Sequence, residues 1–347
     1  MNINSDTGMA RGIILIGGMN NGAAAILPSA DGSPELPPDD TESRLRETGK
    51  GRELCITTDR AEVEKRLDAI EIAFGDIPFD LIPRMPNLKW LQLWSAGADI
   101  LQKYPELKTL PFQLTTTSGI HRQQLTEHTF ALILTWNRKM QCSFAAQKAH
   151  AWTRPAIHEM AVLSGKTMLI LGYGAIGETI AQAAQAFGMK VIGIRRHVPA
   201  GGQGVSGGVT VLPDSRLQEV LPQADYVVNI LPLTPDTAHS IGAKQFDAMK
   251  PSVVYVNVGR GATTDEAALT EALTTKKIAA ALLDVTVPEP LPIGSPLWDM
   301  SNVLITPHYA GFHPNYNGLA MKVAIENLGR YVRGEPLRNL VDKCAGY

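Results

Sequence analysis

The stretch TMLILGYGAIGETIAQAAQAFGMKVIGIRR, residues 167–196, decides the fold of this 347-residue chain. It opens with an apolar run at 168–171 that is short enough for one buried strand. Three glycines follow in the spacing G-x-G-x-x-G, namely Gly172, Gly174 and Gly177. The alanine-rich segment after them predicts a helix that ends near Gly188, and residues 190–194 predict a second strand. This order of strand, glycines, helix and strand is the order of a dinucleotide-binding βαβ unit.

Each glycine of the motif has a separate physical task. Gly172 allows the tight turn, Gly174 allows a pyrophosphate to approach the backbone, and Gly177 allows close packing of helix and strand. Free N–H groups and a partial positive charge at the helix N-terminus favour phosphates. We therefore expect a dinucleotide to bind along the whole motif, which comprises Gly172, Tyr173, Gly174, Ala175, Ile176 and Gly177. An ordinary glycine-rich turn is the alternative interpretation.

Two arginines at the end of the second strand, Arg195 and Arg196, predict which dinucleotide binds. Proteins that select NAD usually place Asp or Glu here to bind the ribose 2′-OH. An arginine can instead pair bidentately with a 2′-phosphate, which an acid would repel. We therefore expect NADP(H) to be preferred over NAD(H). Solvated charge at a strand end is the alternative interpretation of the pair.

The composition is typical of a soluble globular protein with room for two domains, since 44% of the residues are hydrophobic and 19% are charged. A net charge of -2 gives no reason to expect nucleic acid or a membrane surface as a partner. The three cysteines lie far apart, which argues against a disulfide framework or a zinc site. With no apolar run of membrane-spanning length, we expect a cytoplasmic protein without a bound metal.

Short apolar runs alternate with helical patterns along the chain, which predicts an α/β fold with open parallel sheets. The predicted strands are 12–16, 53–57, 69–73, 88–93, 112–116, 168–171, 190–194, 209–211, 226–231, 253–258, 278–285 and 303–306. The predicted helices include 61–67, a long one from Gln124 to about Ala149, then 176–187, 217–221, 244–249, 265–274 and 317–333. The segment from Gly17 to about Gly51 shows no hydrophobic period, so we expect a surface insertion.

Polar residues follow three of the later predicted strands, where ligands of open α/β sheets bind. Arg260 follows strand 253–258, Asp284 lies near the end of strand 278–285, and His308 follows strand 303–306. Glu289 comes five residues after Asp284. Taken singly, such residues are more often structural or solvated. Their joint placement at one edge of a sheet predicts a catalytic site.

This set of side chains suits the reduction of a ketone that lies next to a carboxylate. Hydride transfer leaves negative charge on the ketone oxygen, so a proton donor must lie within hydrogen-bond reach. A histidine such as His308 can donate near neutral pH, and a carboxylate such as Glu289 would favour its charged form. Arg260 can bind the substrate carboxylate and polarise the ketone.

Five motifs of the chain resemble signatures of the D-isomer-specific 2-hydroxyacid dehydrogenase family. They are LGYGAIG (171–177), LPLTPDT (231–237), VNVGRG (256–261), LDVTVPEPLP (283–292) and TPHYAG (306–311). The resemblance implies two Rossmann-like domains with doubly wound parallel sheets and a catalytic cleft between them. Residues 1–123 and 318–347 would form the substrate-binding, flavodoxin-like domain, and residues 124–317 the dinucleotide-binding domain. It also implies a homodimer formed through the long helix after Thr126.

The resemblance also implies roles for individual residues. The catalytic trio would be Arg260, Glu289 and His308, and Asp284 would hold the nicotinamide carboxamide. The rest of the cofactor cleft would be lined by Leu231, Pro232, Thr237, Val258 and Gly259. Backbone N–H groups of a loop in the first domain would bind the substrate carboxylate, so the substrate contacts are expected to be Trp94, Ser95, Ala96, Gly97, Arg260 and His308.

Three aromatic residues, Trp94, Tyr309 and Phe312, stand near the expected substrate site and leave its side-chain preference open. An aromatic-lined pocket would favour a bulky 2-oxoacid, whereas core or interface packing is the other interpretation. The expected reaction is reduction of a 2-oxoacid to a D-2-hydroxyacid with NADPH. The alternative is a dinucleotide-sensing, dimeric corepressor of the same fold. A formate or phosphite dehydrogenase is disfavoured because those enzymes lack a glutamate partner for the histidine, and Glu289 is present here.

Overall fold

The computed structural model describes residues 12–17, 40–196, 198 and 204–347. The chain divides into two compact units. The first is Met1–Ile120 with His313–Tyr347, and the second is His121–Phe312. The boundaries expected from the sequence lie at 123/124 and 317/318.

The elements are numbered in chain order. The strands are β1 (Ile13–Ile16), β2 (Glu53–Ile56), β3 (Ile70–Phe74), β4 (Trp90–Gln92), β5 (Gln113–Thr115), β6 (Thr167–Leu171), β7 (Lys190–Arg195), β8 (Gly204–Ser206), β9 (Val209–Pro213), β10 (Tyr226–Asn229), β11 (Val254–Asn257), β12 (Ala280–Leu283) and β13 (Val303–Ile305). The helices are α1 (Thr41–Gly49), α2 (Arg60–Glu64), α3 (Ile100–Lys103), α4 (Arg122–Asn137), α5 (Met140–Lys148), α6 (Ala175–Ala186), α7 (Leu217–Val220), α8 (Ala243–Ala248), α9 (Glu266–Thr274) and α10 (Tyr316–Arg333). Among the described residues, none of these helices is long and apolar enough to cross a membrane.

The first unit is built on a five-stranded parallel sheet in the order β2-β1-β3-β4-β5. Its β1 strand is apolar throughout because both faces of the sheet are covered. Ile13 and Leu15 enter the core on one face, and Ile14 and Ile16 enter the core on the other. This alternation follows from the two-residue period of a strand, and α1 and α10 cover the second face.

Part of the expected surface insertion is a regular helix, so that interpretation is corrected. Residues 18–39 lie outside the described part of the chain, but Thr41–Gly49 forms α1, which packs against α10. Leu45 is its only buried hydrophobic side chain, and a Cβ on Gly49 would lie 3.0 Å from Ile14. One apolar residue in the helix leaves no hydrophobic period, which is why the sequence pattern did not reveal it.

The second unit contains an eight-stranded sheet in the order β13-β12-β11-β10-β6-β7-β9-β8. Its pairs are parallel except for the β8–β9 hairpin, which the sequence did not predict. The hairpin turns at Gly207 and Gly208, both of which have a left-handed backbone. The parallel arrangement brings the carboxyl ends of β6, β10, β11, β12 and β13 to one edge. The predicted α/β fold with two sheets is thus confirmed.

The prediction of one long helix from Gln124 to about Ala149 is wrong in one respect, because this segment forms two helices. α4 ends at Asn137 and α5 begins at Met140, and Lys139 between them is left-handed with φ +54°. The buried Asn137 side chain accepts a hydrogen bond from the Tyr226 hydroxyl at 3.0 Å, and its carbonyl accepts one from Ala161 N at 3.2 Å. The break therefore follows from tertiary contacts of Asn137, without a glycine or proline in the sequence.

Candidate active site

The glycine motif forms the turn between β6 and α6, and each glycine has the geometry its task requires. Gly172 is left-handed with φ +94°, and a Cβ there would lie 3.0 Å from the carbonyl oxygen of Ile230. On Gly174 a Cβ would meet only the carbonyl oxygen of Gly172, at 4.0 Å, among the described residues. The turn is therefore open to close approach at Gly174. A Cβ on the buried Gly177 would lie 3.3 Å from the side chain of Ile170.

The remaining motif residues, Tyr173, Ala175 and Ile176, fix the turn and begin the helix. The ring of Tyr173 is buried against Gly193, where a Cβ would lie 2.5 Å from Tyr173 Cγ, and the Tyr173 N–H donates to Ile194 O at 2.7 Å. Ala175 and Ile176 form the first turn of α6, and no described side chain caps this end. The first N–H groups of the helix are therefore available to an anion, as phosphate binding requires.

The two arginines predicted to select the cofactor lie at the end of β7. Arg195 is the last residue of the strand and is exposed. Arg196 Nη2 lies 2.9 Å from Asp236 Oδ2, with 31% of the arginine side chain and 75% of the aspartate side chain exposed. Asp236 belongs to the LPLTPDT segment, so the ion pair joins two of the segments predicted to bind the cofactor.

The LPLTPDT segment is a compact turn that follows β10. Thr237 Oγ1 donates to Pro232 O at 2.6 Å and accepts from Thr234 N at 2.8 Å. Leu231 N donates to Asn229 Oδ1 at 3.1 Å, which fastens the start of the turn to the strand. These bonds give the predicted contacts Leu231, Pro232 and Thr237 a fixed backbone shape.

Arg260 lies in the turn after β11, which is fixed by Asn257. The Asn257 side chain accepts from Gly259 N at 3.1 Å and donates to Arg260 O at 3.2 Å. Val258 is buried, and a Cβ on Gly259 would lie 2.9 Å from Ile230 Cα, so the turn packs closely against the end of β10. The charge of Arg260 is one of the causes that lower the pKa of Glu289.

His308 and Glu289 form a direct pair at the same edge. His308 Nδ1 lies 2.7 Å from Glu289 Oε2, and Glu289 Oε1 accepts from Thr286 N at 3.1 Å. About a third of each side chain is exposed, at 33% and 34%. Burial raises the pKa of Glu289, but the bond to His308, its charge, the Thr286 N–H and Arg260 outweigh this, so the net pKa lies below its usual value. The carboxylate is thus ionised at neutral pH and acts as an acceptor for the imidazole.

Asp284 lies at the end of β12 with its side chain almost fully buried, at 2% exposed. Its carboxylate accepts hydrogen bonds from Thr306 Oγ1 at 2.7 Å, Tyr309 N at 3.2 Å and Ala310 N at 3.0 Å. These donors all belong to the turn that carries His308. The observed partners of Asp284 are therefore protein groups, and its predicted contact with a nicotinamide carboxamide stays a prediction.

His121 and His128 show no metal-ligand pattern in the sequence, which favours surface or helix positions for both. His128 does lie in α4, whereas His121 is buried just before this helix, so the interpretation is wrong for His121 alone. His121 is buried beside Gly311, where a Cβ would lie 3.0 Å from His121 Cδ2. Burial, with a smaller contribution from the charge of Arg260, lowers the pKa of His121 to about 4, so this imidazole is neutral at physiological pH. His128 is largely buried and hydrogen-bonded to Thr306. No local sequence pattern marks either residue, because their burial depends on packing with distant segments.

The predicted substrate loop, Ser95, Ala96 and Gly97, follows β4 in the first unit. Ser95 Oγ donates to Gly97 O at 2.7 Å, which closes the loop on itself. Trp94 is 1% exposed, and its ring contacts Phe74 in the core. This burial favours the packing interpretation for Trp94, and its expected place in a substrate pocket stays a prediction. In the second unit, Tyr309 and Phe312 are exposed.

Comparisons with known proteins agree on one family. Residues 130–310 match the model described as D-isomer specific 2-hydroxyacid dehydrogenase, NAD binding domain. The glyoxylate/hydroxypyruvate reductase B of Enterobacter sp. (strain 638) is 33% identical over 317 residues, which cover 88% of this chain and 95% of that protein.

Solved structures of similar proteins cover the chain more fully. A D-isomer specific 2-hydroxyacid dehydrogenase from Xanthobacter autotrophicus Py2, in complex with NADPH and MES, is 28% identical with a TM-score of 0.78 and covers 97% of this chain and 100% of its own. An NADPH-dependent glyoxylate/hydroxypyruvate reductase from Sinorhizobium meliloti, in complex with NADP and sulfate, is 28% identical with a TM-score of 0.76, again covering 97% and 100%.

Proposed function

This chain belongs to the D-isomer-specific 2-hydroxyacid dehydrogenase family of NAD(P)-dependent oxidoreductases, and we propose that it reduces a 2-oxoacid to the D-2-hydroxyacid with NADPH. The observation that carries the proposal is the pair of His308 Nδ1 and Glu289 Oε2 at 2.7 Å, with Arg260 at the same edge of the sheet. The names of the relatives, which include glyoxylate and hydroxypyruvate reductases, support a 2-oxoacid as the substrate class.

The residues around the glycine motif fit a nicotinamide dinucleotide. The open approach to Gly174 and the uncapped N-terminus of α6 suit its pyrophosphate. The segments at 231–237 and 258–259 would flank the nicotinamide half. When bound, the reduced cofactor supplies a hydride to the ketone carbon. All other steps are performed by side chains of this chain.

His308 is proposed as the proton donor. Because its Nδ1 faces Glu289, the transferable proton would sit on Nε2, and the ionised glutamate would stabilise the imidazolium that holds it. The Thr286 N–H keeps the second carboxylate oxygen in place, so the imidazole plane is held through the glutamate. This arrangement would deliver a proton to the oxygen on which negative charge develops.

Arg260 is proposed to hold the substrate by its carboxylate. A guanidinium can bind a carboxylate through two parallel hydrogen bonds, and its charge also polarises a neighbouring carbonyl. The turn of Asn257, Gly259 and Arg260 is held by the Asn257 amide, which makes its backbone rigid. Backbone N–H groups of Ala96 and Gly97 remain predicted partners of the same carboxylate.

We further propose that NADPH is preferred over NADH. Arg195 and Arg196 stand at the strand end where the 2′-substituent of the ribose is expected. An enzyme that selects NADH usually has an acidic residue there, which binds the 2′-OH. The similar structures from Xanthobacter and Sinorhizobium hold NADPH and NADP. The two arginines are the residues of this chain that would recognise the 2′-phosphate.

A homodimer is proposed from an exposed apolar surface in the second unit. Phe144 on α5 is exposed, as are Trp152 and Ile157 in the segment that follows this helix, with Trp152 at 93%. Large apolar side chains clustered in one exposed stretch mark a protein interface more often than free surface. A second copy of the chain would cover them, as the resemblance implies.

The function is tested with a substrate panel. Purified protein is mixed with NADPH and glyoxylate, hydroxypyruvate, phenylpyruvate or a branched 2-oxoacid, and the NADPH absorbance is followed. We expect oxidation with at least one of these acids, loss of turnover in His308→Ala with cofactor binding retained, and little change in the control His158→Ala, an exposed histidine. NADPH binding without turnover for every acid would favour the corepressor alternative.

A further inference from the structure

The turn that carries His308 has an unusual backbone that the protein must support. His308 is left-handed with φ +53°, a conformation that costs a non-glycine residue on the order of 1 kcal/mol. Its N–H donates to Asp284 O at 2.8 Å and to Thr306 O at 3.0 Å. The Asp284 carboxylate accepts from Tyr309 N and Ala310 N on the far side. The turn is thus folded around Asp284.

A buried chain of hydrogen bonds extends from this aspartate to α4. Thr306 Oγ1 lies 2.7 Å from Asp284 Oδ1, and His128 Nε2 lies 2.9 Å from Thr306 Oγ1. A carboxylate can only accept, so the single hydroxyl hydrogen of Thr306 points to Asp284. The hydroxyl oxygen must then accept from His128, which requires a proton on Nε2. The direction of the chain is therefore His128 to Thr306 to Asp284.

His128 also contacts the turn on the other side of His308. Its ring meets the ring of Tyr309 edge to face, with centroids 5.1 Å apart. His128 thus touches the residue two before His308 and the residue directly after it. Burial lowers the pKa of His128, although the charge of Asp284 acts in the opposite direction. A neutral imidazole with its proton on Nε2 meets the donor requirement at physiological pH.

We propose that His128 is a positioning residue for the proton donor, an inference that rests on the proposed function of His308. Acting through Thr306 and Asp284, it holds the left-handed turn in the one arrangement that sets the His308 imidazole against Glu289. His128 makes no contact with His308 itself among the described residues. Loss of this donor would leave a lone pair of Thr306 buried without a partner and would let the turn relax.

The first test compares His128→Ala with His128→Gln. The glutamine Nε2 can still donate to Thr306, whereas alanine cannot. We expect His128→Ala to lower kcat about tenfold, the effect of one buried hydrogen bond, while the KM for the 2-oxoacid and the Kd for NADPH change less than about twofold. His128→Gln should recover most of the lost kcat. An unchanged kcat in the alanine variant, or a glutamine variant as slow as alanine, would overturn the proposal.

The second test asks whether Thr306 acts in the same chain. Thr306→Val keeps the shape and removes the hydroxyl, and Thr306→Ser keeps the hydroxyl. The kcat of Thr306→Val should be at least as low as that of His128→Ala, and the kcat of Thr306→Ser should be close to wild type. The double variant His128→Ala/Thr306→Val should be no slower than Thr306→Val alone, because the two substitutions break the same chain of hydrogen bonds. Multiplying effects in the double variant would contradict it.

A third measurement needs neither cofactor nor turnover. In NMR spectra of the unliganded protein, the ring resonances of His308 report on the Nδ1 hydrogen bond to Glu289. The variant His308→Gln, which lacks these resonances, assigns them. We expect His128→Ala to shift these resonances and His128→Gln to shift them less, with thermal unfolding used to confirm that both variants are folded. Unchanged His308 resonances in the alanine variant would refute the positioning role. If the wild type reduces no 2-oxoacid, the proposed function fails, and this measurement still decides the positioning inference.

Discussion

Replacing Glu289 by glutamine is the sharpest test of the proposed catalytic pair, because both carboxylate oxygens accept hydrogen bonds. Oε2 accepts from His308 Nδ1 at 2.7 Å, and Oε1 accepts from Thr286 N at 3.1 Å. A glutamine has one acceptor oxygen and one donor nitrogen at these positions. With its oxygen on Thr286 N, the amide turns its N–H to His308 Nδ1, which can accept that hydrogen only as a neutral imidazole. Glu289→Gln therefore keeps the shape of the pair but removes the negative charge that accepts a hydrogen bond from an imidazolium.

The size of the effect follows from the kind of bond that is lost. A hydrogen bond to a charged group contributes about 1.5–3 kcal/mol. Since about a third of the Glu289 and His308 side chains is exposed, at 34% and 33%, solvent screening favours the lower part of that range. A loss of about 1.5–2 kcal/mol in transition-state stabilisation corresponds to a kcat roughly 10- to 30-fold lower.

The pH profile supplies a second readout for this variant. The pKa of Glu289 lies below its usual value, so in the wild type its negative charge is present at neutral pH and is lost only as pH falls through that lowered pKa. In the wild type kcat should therefore fall as pH drops through the lowered pKa of Glu289, and this acid limb should be absent from Glu289→Gln, which has no carboxyl group to protonate there.

Steady-state kinetics of Glu289→Gln from about pH 3 to 9 would be compared with Glu266→Gln as the matched control. Glu266 accepts from Val287 N at 3.0 Å in the neighbouring loop and does not contact His308. A wild-type kcat and pH profile in Glu289→Gln would refute the assignment of the pair, as would equal losses in the two variants.

Three further predictions concern other parts of the molecule. Burial raises the pKa of Asp76 to about 7, so ionisation of this carboxyl lowers the stability of the fold as pH rises from about 4 through 7. In urea titrations, Asp76→Asn should therefore raise the free energy of unfolding by about 1–2 kcal/mol at pH 8 and by less at pH 5. Asp236→Asn should lower the KM for NADPH about two- to fivefold without changing that for NADH, because the acidic side chain that competes with the 2′-phosphate for Arg196 is removed; an equal change for both cofactors would contradict this. Trp152→Asp should shift the mass measured by light scattering from dimer to monomer, and a wild-type protein already monomeric at micromolar concentration would refute the interface.

Local patterns in the sequence predicted the parts of the fold that depend on local physics. The G-x-G-x-x-G spacing predicted the turn after β6 because only glycine suits the left-handed Gly172 and the open approach at Gly174. Apolar runs predicted the strands of both sheets, and the position of Arg260, Glu289 and His308 after strands predicted that they would meet at one edge. The structure brings the glutamate and histidine together, and their roles stay predictions.

Tertiary contacts decided the features that the sequence did not reveal. The break between α4 and α5 depends on the contacts of Asn137 with Tyr226 and Ala161, which are distant in sequence. α1 carries a single buried hydrophobic residue, so its pattern could not be told from a loop. His128 looks like an ordinary helix residue until the turn at 306–310 is folded against α4. In each case a local window lacks the partner that determines the conformation.

The C-terminal position of α10 has a consequence for the order in which a nascent chain can fold. The first unit is interrupted by the whole second unit, and α10 covers one face of its sheet with Leu328 buried and with the Tyr316 hydroxyl bonded to Trp94 O at 2.7 Å. During synthesis, α10 therefore cannot cover Trp90 and Trp94 until the ribosome has completed the continuous second unit. We expect ribosome-bound chains that stop at 312 to resist proteolysis in the second unit and to be cleaved in the first. Equal resistance of the two units would show that the first sheet closes without its last helix.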